Sequence, residues 1–337
     1  MKILICDWPE PMNRDIDVER GHLRAGLGPG VEIATYIHRG DRQALLAALD
    51  GVDAVLTAYL EFPADLLEAL PGLKFISIEA TGYNFVDAAA AQRLGIGVSV
   101  IGEYCTQEVA DHTLALALAV NRHLKLFDRD IEGNRRYDFA AAPPPIGLTG
   151  ATWAILGLGK IGRAVARRAQ AFGMEVVAYD PYCPPELAEG CGVALVPLAE
   201  ALARADILSL HMLATPETRG MLGAEAFAQM ARRPVVVNVS RGELIDEEAL
   251  VAALDAGQIA GAGLDVLRQE SHEAMADHPL VGRPNVVLTP HAAFYSQRSM
   301  AECARISSEN IVHYLRGDVG RVFRMVNSVL PVFELNG

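Results

Sequence analysis

The feature that most constrains the fold is a glycine-rich stretch placed between a strand pattern and a helix pattern. Residues 152–156 are apolar and β-rich, residues 160–172 have helical periodicity, and the stretch 157–162 at their junction reads GLGKIG. A strand that passes through such a turn into a helix is typical of a βα unit in a parallel sheet. We therefore predict an α/β fold with the glycine turn at one edge of a sheet.

The same alternation of strands and helices extends along most of the chain and predicts mostly parallel sheets covered on both faces. At 337 residues the chain is longer than one hydrophobic core usually serves, so two domains are expected. A proline-rich segment at 140–145 separates two series of elements. The predicted strands are 3–6, 31–35, 54–57, 74–78, 97–100, 152–156, 175–179, 193–195, 206–210, 234–239, 261–266 and 285–289, and the predicted helices are 42–49, 64–70, 87–94, 106–124, 160–172, 246–256 and 297–315.

The charge and the cysteine content exclude several kinds of partner. The formal net charge is −13 with the acidic residues scattered, so the surface repels nucleic acid and anionic lipid. The five cysteines are odd in number and form no CxxC pair, which favours reduced thiols over a disulfide or metal framework. The apolar runs at 3–6 and 114–120 are too short for a signal peptide and a membrane span, respectively. We expect a soluble cytoplasmic protein without a metal, membrane or nucleic-acid partner.

The glycine-rich stretch also predicts a dinucleotide site. Gly157, Gly159 and Gly162 fit the spacing G-x-G-x-x-G, which brings backbone N–H groups and a helix N-terminus against a pyrophosphate. Asp180 ends the next predicted strand, eighteen residues after Gly162, where a carboxylate binds the adenosine ribose and repels a 2′-phosphate. NAD is therefore favoured over NADP as the cofactor. The alternative is that Asp180 only caps a turn before Pro181.

Three polar residues follow predicted strands in the second half of the chain. Arg241, Glu270 and His291 come after the strands that end at residues 239, 266 and 289. The carboxyl ends of parallel strands share one edge of the sheet, where ligands bind in open α/β folds. Taken singly, Arg241 could instead pair with Glu243. A lone histidine such as His291 is more often structural, and Glu270 alone would be a solvated loop residue.

Together the three residues match the needs of 2-oxo acid reduction. A guanidinium can bind the substrate carboxylate and polarise the carbonyl, and an imidazole can supply the proton near neutral pH. A carboxylate beside the imidazole fixes its tautomer and raises its pKa. We assign substrate binding to Arg241, general acid/base work to His291, and orientation of His291 to Glu270.

These motifs closely resemble those of the D-isomer-specific 2-hydroxyacid dehydrogenase family. The resemblance implies an enzyme that moves a hydride between NADH and a 2-oxo acid, with Arg241, Glu270 and His291 as the catalytic trio. Besides the glycine stretch, it is carried by NVSRGELID at 238–246, GLDV at 263–266, TPH at 289–291, TGYNFVD at 81–87 and VADHT at 109–113.

The resemblance also implies binding residues outside the trio. The backbone at Thr81 and Gly82 would bind the substrate carboxylate. The residues implied to line the NAD site, besides the three glycines, are Thr106, Lys160, Ile161, Asp180, Val239, Ser240, Asp265 and His291.

The family likeness further implies a domain arrangement. Both domains would be doubly wound parallel sheets, with a Rossmann nucleotide domain at 102–296 inserted into a flavodoxin-like substrate domain at 1–101 and 297–337. The active site would lie in the cleft between them. Family members are commonly homodimers, and the helix at 106–124 would then lie at the interface.

Some positions depart from the common family pattern, and they fall where specificity for the substrate side chain is set. The loop after the third strand reads TAYL at 57–60, and the segment 211–213 reads HML without the frequent proline. Tyr59 and Phe294, with other apolar neighbours, would form a fairly apolar pocket. We therefore expect a 2-oxo acid with an aliphatic or aromatic side chain.

Two alternatives in function remain. The segments 179–182 and 291–296 resemble the C-terminal-binding protein branch, whose members are NAD(H)-responsive corepressors, so the chain could sense NAD(H) with little turnover. Formate oxidation on the same fold is less expected, because formate dehydrogenases resemble the trio but place glutamine at the position of Glu270.

Overall fold

The computed structural model describes residues 1–329, and the chain divides into two compact units. Among the described residues, unit 1 comprises Met1–Tyr104 and residues 296–329, and unit 2 comprises Cys105–Tyr295. The predicted domain boundaries differ from these by at most three residues. The predicted membership of residues 330–337 in the substrate domain lies outside the described residues.

Unit 1 contains a five-stranded parallel sheet in the order β2-β1-β3-β4-β5. Every residue of its strands β3, β4 and β5 is buried, as expected when both faces of a parallel sheet are covered. This order is that of flavodoxin-like folds. The elements up to residue 104 are β1 Lys2–Asp7, α1 Pro9–Met12, α2 Asp17–Leu27, β2 Glu32–Ile37, α3 Arg42–Leu49, β3 Ala54–Thr57, α4 Ala64–Glu68, β4 Phe75–Ile78, α5 Ala88–Arg93 and β5 Gly97–Val100.

Unit 2 contains a seven-stranded parallel sheet in the order β12-β11-β10-β9-β6-β7-β8. The order reverses between β6 and β9, which makes this point the switch point of a Rossmann-type sheet. Its elements are α6 Thr106–Asn121, α7 Leu124–Asn134, β6 Thr152–Leu156, α8 Lys160–Ala171, β7 Glu175–Tyr179, α9 Pro185–Glu189, β8 Ala194–Leu195, α10 Leu198–Arg204, β9 Ile207–Leu210, α11 Ala224–Ala228, β10 Val235–Asn238, α12 Glu247–Asp255, β11 Gly261–Leu264, α13 His272–Met275 and β12 Val286–Leu288.

The predicted long helix at 106–124 is two helices. α6 ends at Asn121, and α7 begins at Leu124 after His123 adopts a left-handed conformation with φ 55°. Eight of the sixteen residues of α6 are buried, because the helix packs on the sheet of unit 2 beside α8. Thr106 is the first residue of α6. By contrast, none of the residues of α7 is buried.

The last helix, α14 Gln297–Leu315, returns the chain to unit 1. It begins with a capping box between Ser296 and Ser299. It covers one face of the five-stranded sheet together with α2, and its Tyr314 ring stacks on Phe75 with centroids 4.1 Å apart. Among the described residues, no helix combines the length and the apolar character that crossing a membrane requires.

Candidate active site

The glycine turn lies at the switch point of the sheet in unit 2. Gly157 follows β6 with φ +96°, and a Cβ atom there would lie 2.9 Å from the backbone at His211 and Met212. A Cβ atom at Gly162 would lie 2.2 Å from Gly157 O. A side chain at either position would therefore force the turn away from the loop after β9 or from α8. Gly159 has no atom within 4 Å of an added Cβ, so its environment is open.

Asp180 connects this turn to the end of β7. Its Oδ2 accepts a hydrogen bond from Leu158 N at 2.8 Å, and its Oδ1 accepts one from Tyr182 N at 2.9 Å. The hydrogen bond from Tyr182 N is the turn cap that was the alternative role for Asp180. The hydrogen bond from Leu158 N holds the carboxylate beside the glycine turn. Both arrangements occur together, and each carboxylate oxygen keeps a further lone pair.

Arg241 lies in a tight turn after β10. Asn238, which is 1% exposed, donates from Nδ2 to Arg241 O at 2.8 Å and accepts from Ser240 N at 3.1 Å. Ser240 Oγ donates to Met212 O at 2.5 Å. The guanidinium donates from Nη1 to Ser240 O at 2.7 Å, and within the described part of the chain it makes no ion pair with Glu243.

The turn of Arg241 packs directly on the segment that leads to Glu270. A Cβ atom at Gly242 would lie 2.1 Å from Leu267 C and 2.5 Å from Arg268 N. Only glycine allows these two backbone segments to approach so closely. The contact sets the position of Arg241 relative to the loop that carries the carboxylate.

His291 and Glu270 form a hydrogen-bonded pair. His291 Nδ1 lies 2.8 Å from Glu270 Oε2, and Glu270 Oε1 accepts from Leu267 N at 3.3 Å. The two side chains are 44% and 41% exposed, so a ligand can reach them. With Nδ1 bound to the carboxylate, Nε2 is the ring nitrogen left to exchange a proton with a substrate.

The electrostatics favour a protonated imidazole. The hydrogen bond that His291 donates to Glu270 raises the pKa of His291; burial acts against this, and the charges of Glu270 and Asp265 add to it. Burial acts to raise the pKa of Glu270, but the hydrogen bond and charge of His291 outweigh it, so this pKa is lowered. The positive charge of Arg241 lowers both pKa values. Arg241, Glu270 and His291 therefore lie close enough in unit 2 for their charges to interact.

The other predicted NAD-lining residues of unit 2 lie on several elements. Thr106 starts α6, Lys160 and Ile161 start α8, and Val239 is buried directly after β10. Asp265 follows β11 and is 2% exposed.

The predicted substrate residues are divided between the two units. In unit 1, Tyr59 lies after β3 and its ring is 6.3 Å from that of Phe85, while Thr81 and Gly82 lie in the loop after β4. In unit 2, the ring of Phe294 meets that of His291 edge to face with centroids 6.5 Å apart.

Two further polar residues, Asp7 and His211, make contacts that no sequence motif predicts. Asp7, at the end of β1, is 1% exposed and accepts from Thr57 Oγ1 at 3.0 Å and from Tyr59 N at 2.9 Å. Burial lowers the pKa of His211 to about 3, and its Nε2 lies 2.9 Å from Ser209 Oγ. An aspartate at the end of a predicted strand is visible in the sequence, but the groups that donate hydrogen bonds to it become evident only in the fold.

Comparison with known proteins identifies the family. A family model described as the NAD binding domain of D-isomer specific 2-hydroxyacid dehydrogenase matches residues 114–293, more than half of the chain. The chain belongs to this family.

Relatives and solved structures agree with the assignment. The dehydrogenase is 36% identical over 284 residues to a glyoxylate reductase of Korarchaeum cryptofilum, covering 82% of this chain and 84% of the relative. It is 35% identical over 282 residues to a hydroxypyruvate reductase of Blautia hydrogenotrophica, covering 82% and 86%. A D-isomer specific 2-hydroxyacid dehydrogenase from Lactobacillus delbrueckii ssp. bulgaricus, solved with NAD, has a TM-score of 0.81 at 26% identity over 97% of this chain and 100% of that chain.

The dehydrogenase is therefore an NAD-dependent oxidoreductase that acts on the CH–OH group of 2-hydroxy acids. The predicted fold class, two parallel-sheet Rossmann-like domains, and the predicted cofactor are confirmed. The glycine turn fits this cofactor, because α8 begins directly after the open Gly159 and the N–H groups of a first helical turn lack intrahelical acceptors.

Proposed function

We propose that the dehydrogenase reduces a small 2-oxo acid with an apolar side chain to the corresponding D-2-hydroxy acid, reversibly. The observation that carries this proposal is the 2.8 Å hydrogen bond between His291 and Glu270 within the field of Arg241. All three follow carboxyl ends of strands in the unit that holds the glycine turn.

In this proposal each member of the trio has one task. Arg241 binds the substrate carboxylate and polarises the C2 carbonyl through its planar fork of donors. His291 gives the proton on Nε2 to the carbonyl oxygen and regains one from solvent. Glu270 keeps the imidazole oriented and protonated, because its hydrogen bond raises the pKa of His291. The cofactor, when bound as NADH, would supply the hydride that the C2 carbon receives.

The cofactor would be held by residues of unit 2, which we propose as the NAD-binding domain. The N–H groups of the turn and of Lys160 and Ile161 would face the pyrophosphate, and Asp180 would bind the adenosine ribose. The family resemblance supports further NAD contacts at Thr106, Val239, Ser240 and Asp265.

Unit 1 is proposed as the substrate domain. By resemblance, the backbone at Thr81 and Gly82 would bind the substrate carboxylate, and Tyr59 would contact the side chain. In unit 2, Phe294 supports an apolar substrate, because its ring lies edge-on to the imidazole that protonates the carbonyl.

The substrate can be tested with a panel of 2-oxo acids. NADH oxidation is followed with glyoxylate, hydroxypyruvate, pyruvate, 2-oxoisocaproate and phenylpyruvate, and kcat/KM is compared. We expect the highest value for an acid with an apolar side chain. A preference for glyoxylate or hydroxypyruvate, the substrates named for the two relatives, would contradict the proposal of an apolar substrate pocket. It would still agree with the proposed reduction of a 2-oxo acid. Tight NADH binding with no turnover of any acid would favour the NAD(H)-sensing alternative.

We also propose that the dehydrogenase is a homodimer, with a contact surface on α7 and the segment after it. This surface adjoins the helix expected at the interface, because α7 follows α6 in the chain; eight of the sixteen residues of α6 are buried within unit 2. Tyr137 and Phe139 are 95% and 90% exposed, and Leu124 and Ile131 of α7 are 56% and 45% exposed. Grouped aromatic and aliphatic exposure of this kind is typical of protein contacts.

The scattered acidic charge and absence of CxxC pairs support a cytoplasmic location.

The dimer can be tested by light scattering after size exclusion. The double variant Tyr137→Ser, Phe139→Ser is expected to run as a monomer at concentrations where the wild type is a dimer. The matched control is Tyr182→Ser, since Tyr182 is 92% exposed but lies outside this segment. A monomeric wild type, or an unchanged dimer in the double variant, would contradict the proposed surface.

A further inference from the structure

The loop that carries His291 is held by hydrogen bonds to a single buried residue. The backbone N–H of His291 donates to Asp265 O at 2.8 Å. The N–H of Ala292 donates to Asp265 Oδ1 at 2.8 Å, and that of Ala293 to Oδ2 at 2.9 Å. Asp265 is 2% exposed, so one residue that water hardly reaches accepts hydrogen bonds from three successive amides of the loop.

The loop needs this restraint because of its backbone conformation. His291 has φ +52°, in the left-handed region that L side chains adopt only at a cost. Such a conformation persists where the surroundings over-determine it. Since the 2.8 Å contact between His291 and Glu270 starts from this backbone, its geometry depends on the contacts that hold the loop.

A second side chain connects this network to α6. Thr289 Oγ1 lies 2.6 Å from Asp265 Oδ1 and must donate, because a carboxylate only accepts. His112 Nε2 lies 2.9 Å from the same hydroxyl oxygen. The hydroxyl has one hydrogen, which is already donated, so His112 is the donor to Thr289. The result is a directed chain from His112 through Thr289 to Asp265.

We propose that His112 and Thr289 are positioning residues that hold the His291 loop in its catalytic conformation through Asp265. The proposal rests on the proposed function of His291 as general acid. The two residues act through this chain rather than through contact with substrate. α6 thereby has a role in the site besides covering the sheet.

The proposal gives an expectation for the pH profile. The charged groups that act on His291 are Glu270, Asp265 and Arg241. If the loop loosens, the hydrogen bond with Glu270 weakens, and the pKa of His291 falls back toward its ordinary value. The decline of 2-oxo acid reduction with rising pH then moves to lower pH.

Two matched pairs of variants test the chain. Thr289→Val and His112→Leu remove the hydroxyl and the donor, whereas Thr289→Ser and His112→Gln keep them. We expect Thr289→Val and His112→Leu each to lower kcat/KM about 10-fold, the effect of one lost hydrogen bond, and to move the decline of 2-oxo acid reduction with rising pH to lower pH. Thr289→Ser and His112→Gln should retain most of the activity and the wild-type pH profile.

Each result decides between the possibilities. A wild-type rate and profile in Thr289→Val and His112→Leu would overturn the proposal, and so would equal damage in the Ser and Gln variants, which would indicate packing alone. Unchanged turnover in His291→Ala would instead overturn the proposed function itself. If the apolar variants do not fold, amide hydrogen exchange in the wild type still tests the network. Slow exchange at residues 291–293 is expected, and fast exchange there would refute it.

Discussion

The contact at Gly242 provides the sharpest structural prediction for catalysis. In Gly242→Ala the new Cβ would lie 2.1 Å from Leu267 C, whereas real Cβ contacts are essentially never closer than 3.0 Å. The turn of Arg241 and the segment before Glu270 must therefore separate by about 0.9 Å. A misplacement of about 1 Å costs roughly 10²-fold in rate, and overpacking costs about 1–3 kcal/mol of stability.

We therefore expect kcat/KM for the preferred 2-oxo acid to fall roughly 10²-fold in Gly242→Ala, with a lower Tm, while NADH binding measured by fluorescence changes little. NADH binding should persist because the glycine turn at 157–162 is a separate contact. The matched control is Gly147→Ala, which meets no atom within 4 Å. Wild-type kcat/KM and Tm in Gly242→Ala would refute the inference that the close contact of Gly242 with Leu267 fixes the position of Arg241 relative to Glu270.

Three further predictions concern the trio and the cofactor. Glu270→Gln removes the group that raises the pKa of His291, so the decline of reduction with rising pH should move to lower pH, whereas Glu243→Gln should leave the profile in place. His291→Ala should lower kcat by about 10²–10⁴-fold while NADH still binds, and a rate close to wild type would remove it from the mechanism. Asp180→Ala should erode the preference for NADH over NADPH in kcat/KM; unaltered discrimination would mean that the carboxylate serves only the turn.

Much of the fold was predictable because its signals are local. β3, β5, β6, β7, α3 and α14 coincide with the predicted ranges, since runs of buried apolar residues and helical periodicity identify such elements directly. The missed helix α2 contains Gly21 and Gly26, which lower helix propensity. Gly26 is there because of packing, since a Cβ would lie 2.4 Å from the Val312 side chain of α14.

The helix break at His123 shows a different limit of local signals. No glycine or proline separates α6 from α7, so the helical pattern continues across residues 122 and 123. The left-handed residue that ends α6 is a histidine, a position where sequence reasoning would look for glycine or asparagine.

The proximity of Arg241, Glu270 and His291 could be predicted because topology places strand ends together, whereas the contacts that support these residues could not. Each catalytic candidate follows a strand, so a parallel sheet alone brings them to one edge. His112 and Thr289 are separated by 177 positions, and only the packing of α6 on the sheet makes them neighbours. The same is true of Asp7 and Tyr59, which belong to different strand ends of unit 1.

The central claim is that His291 and Glu270 act as one proton-transfer unit. A double-mutant cycle measures this directly, by comparing kcat/KM for His291→Ala, Glu270→Gln and the two combined. If Glu270 acts only through the imidazole, the combined variant is as slow as His291→Ala and no slower. Rate losses that multiply in the combined variant would show that the two residues act independently and would contradict the account.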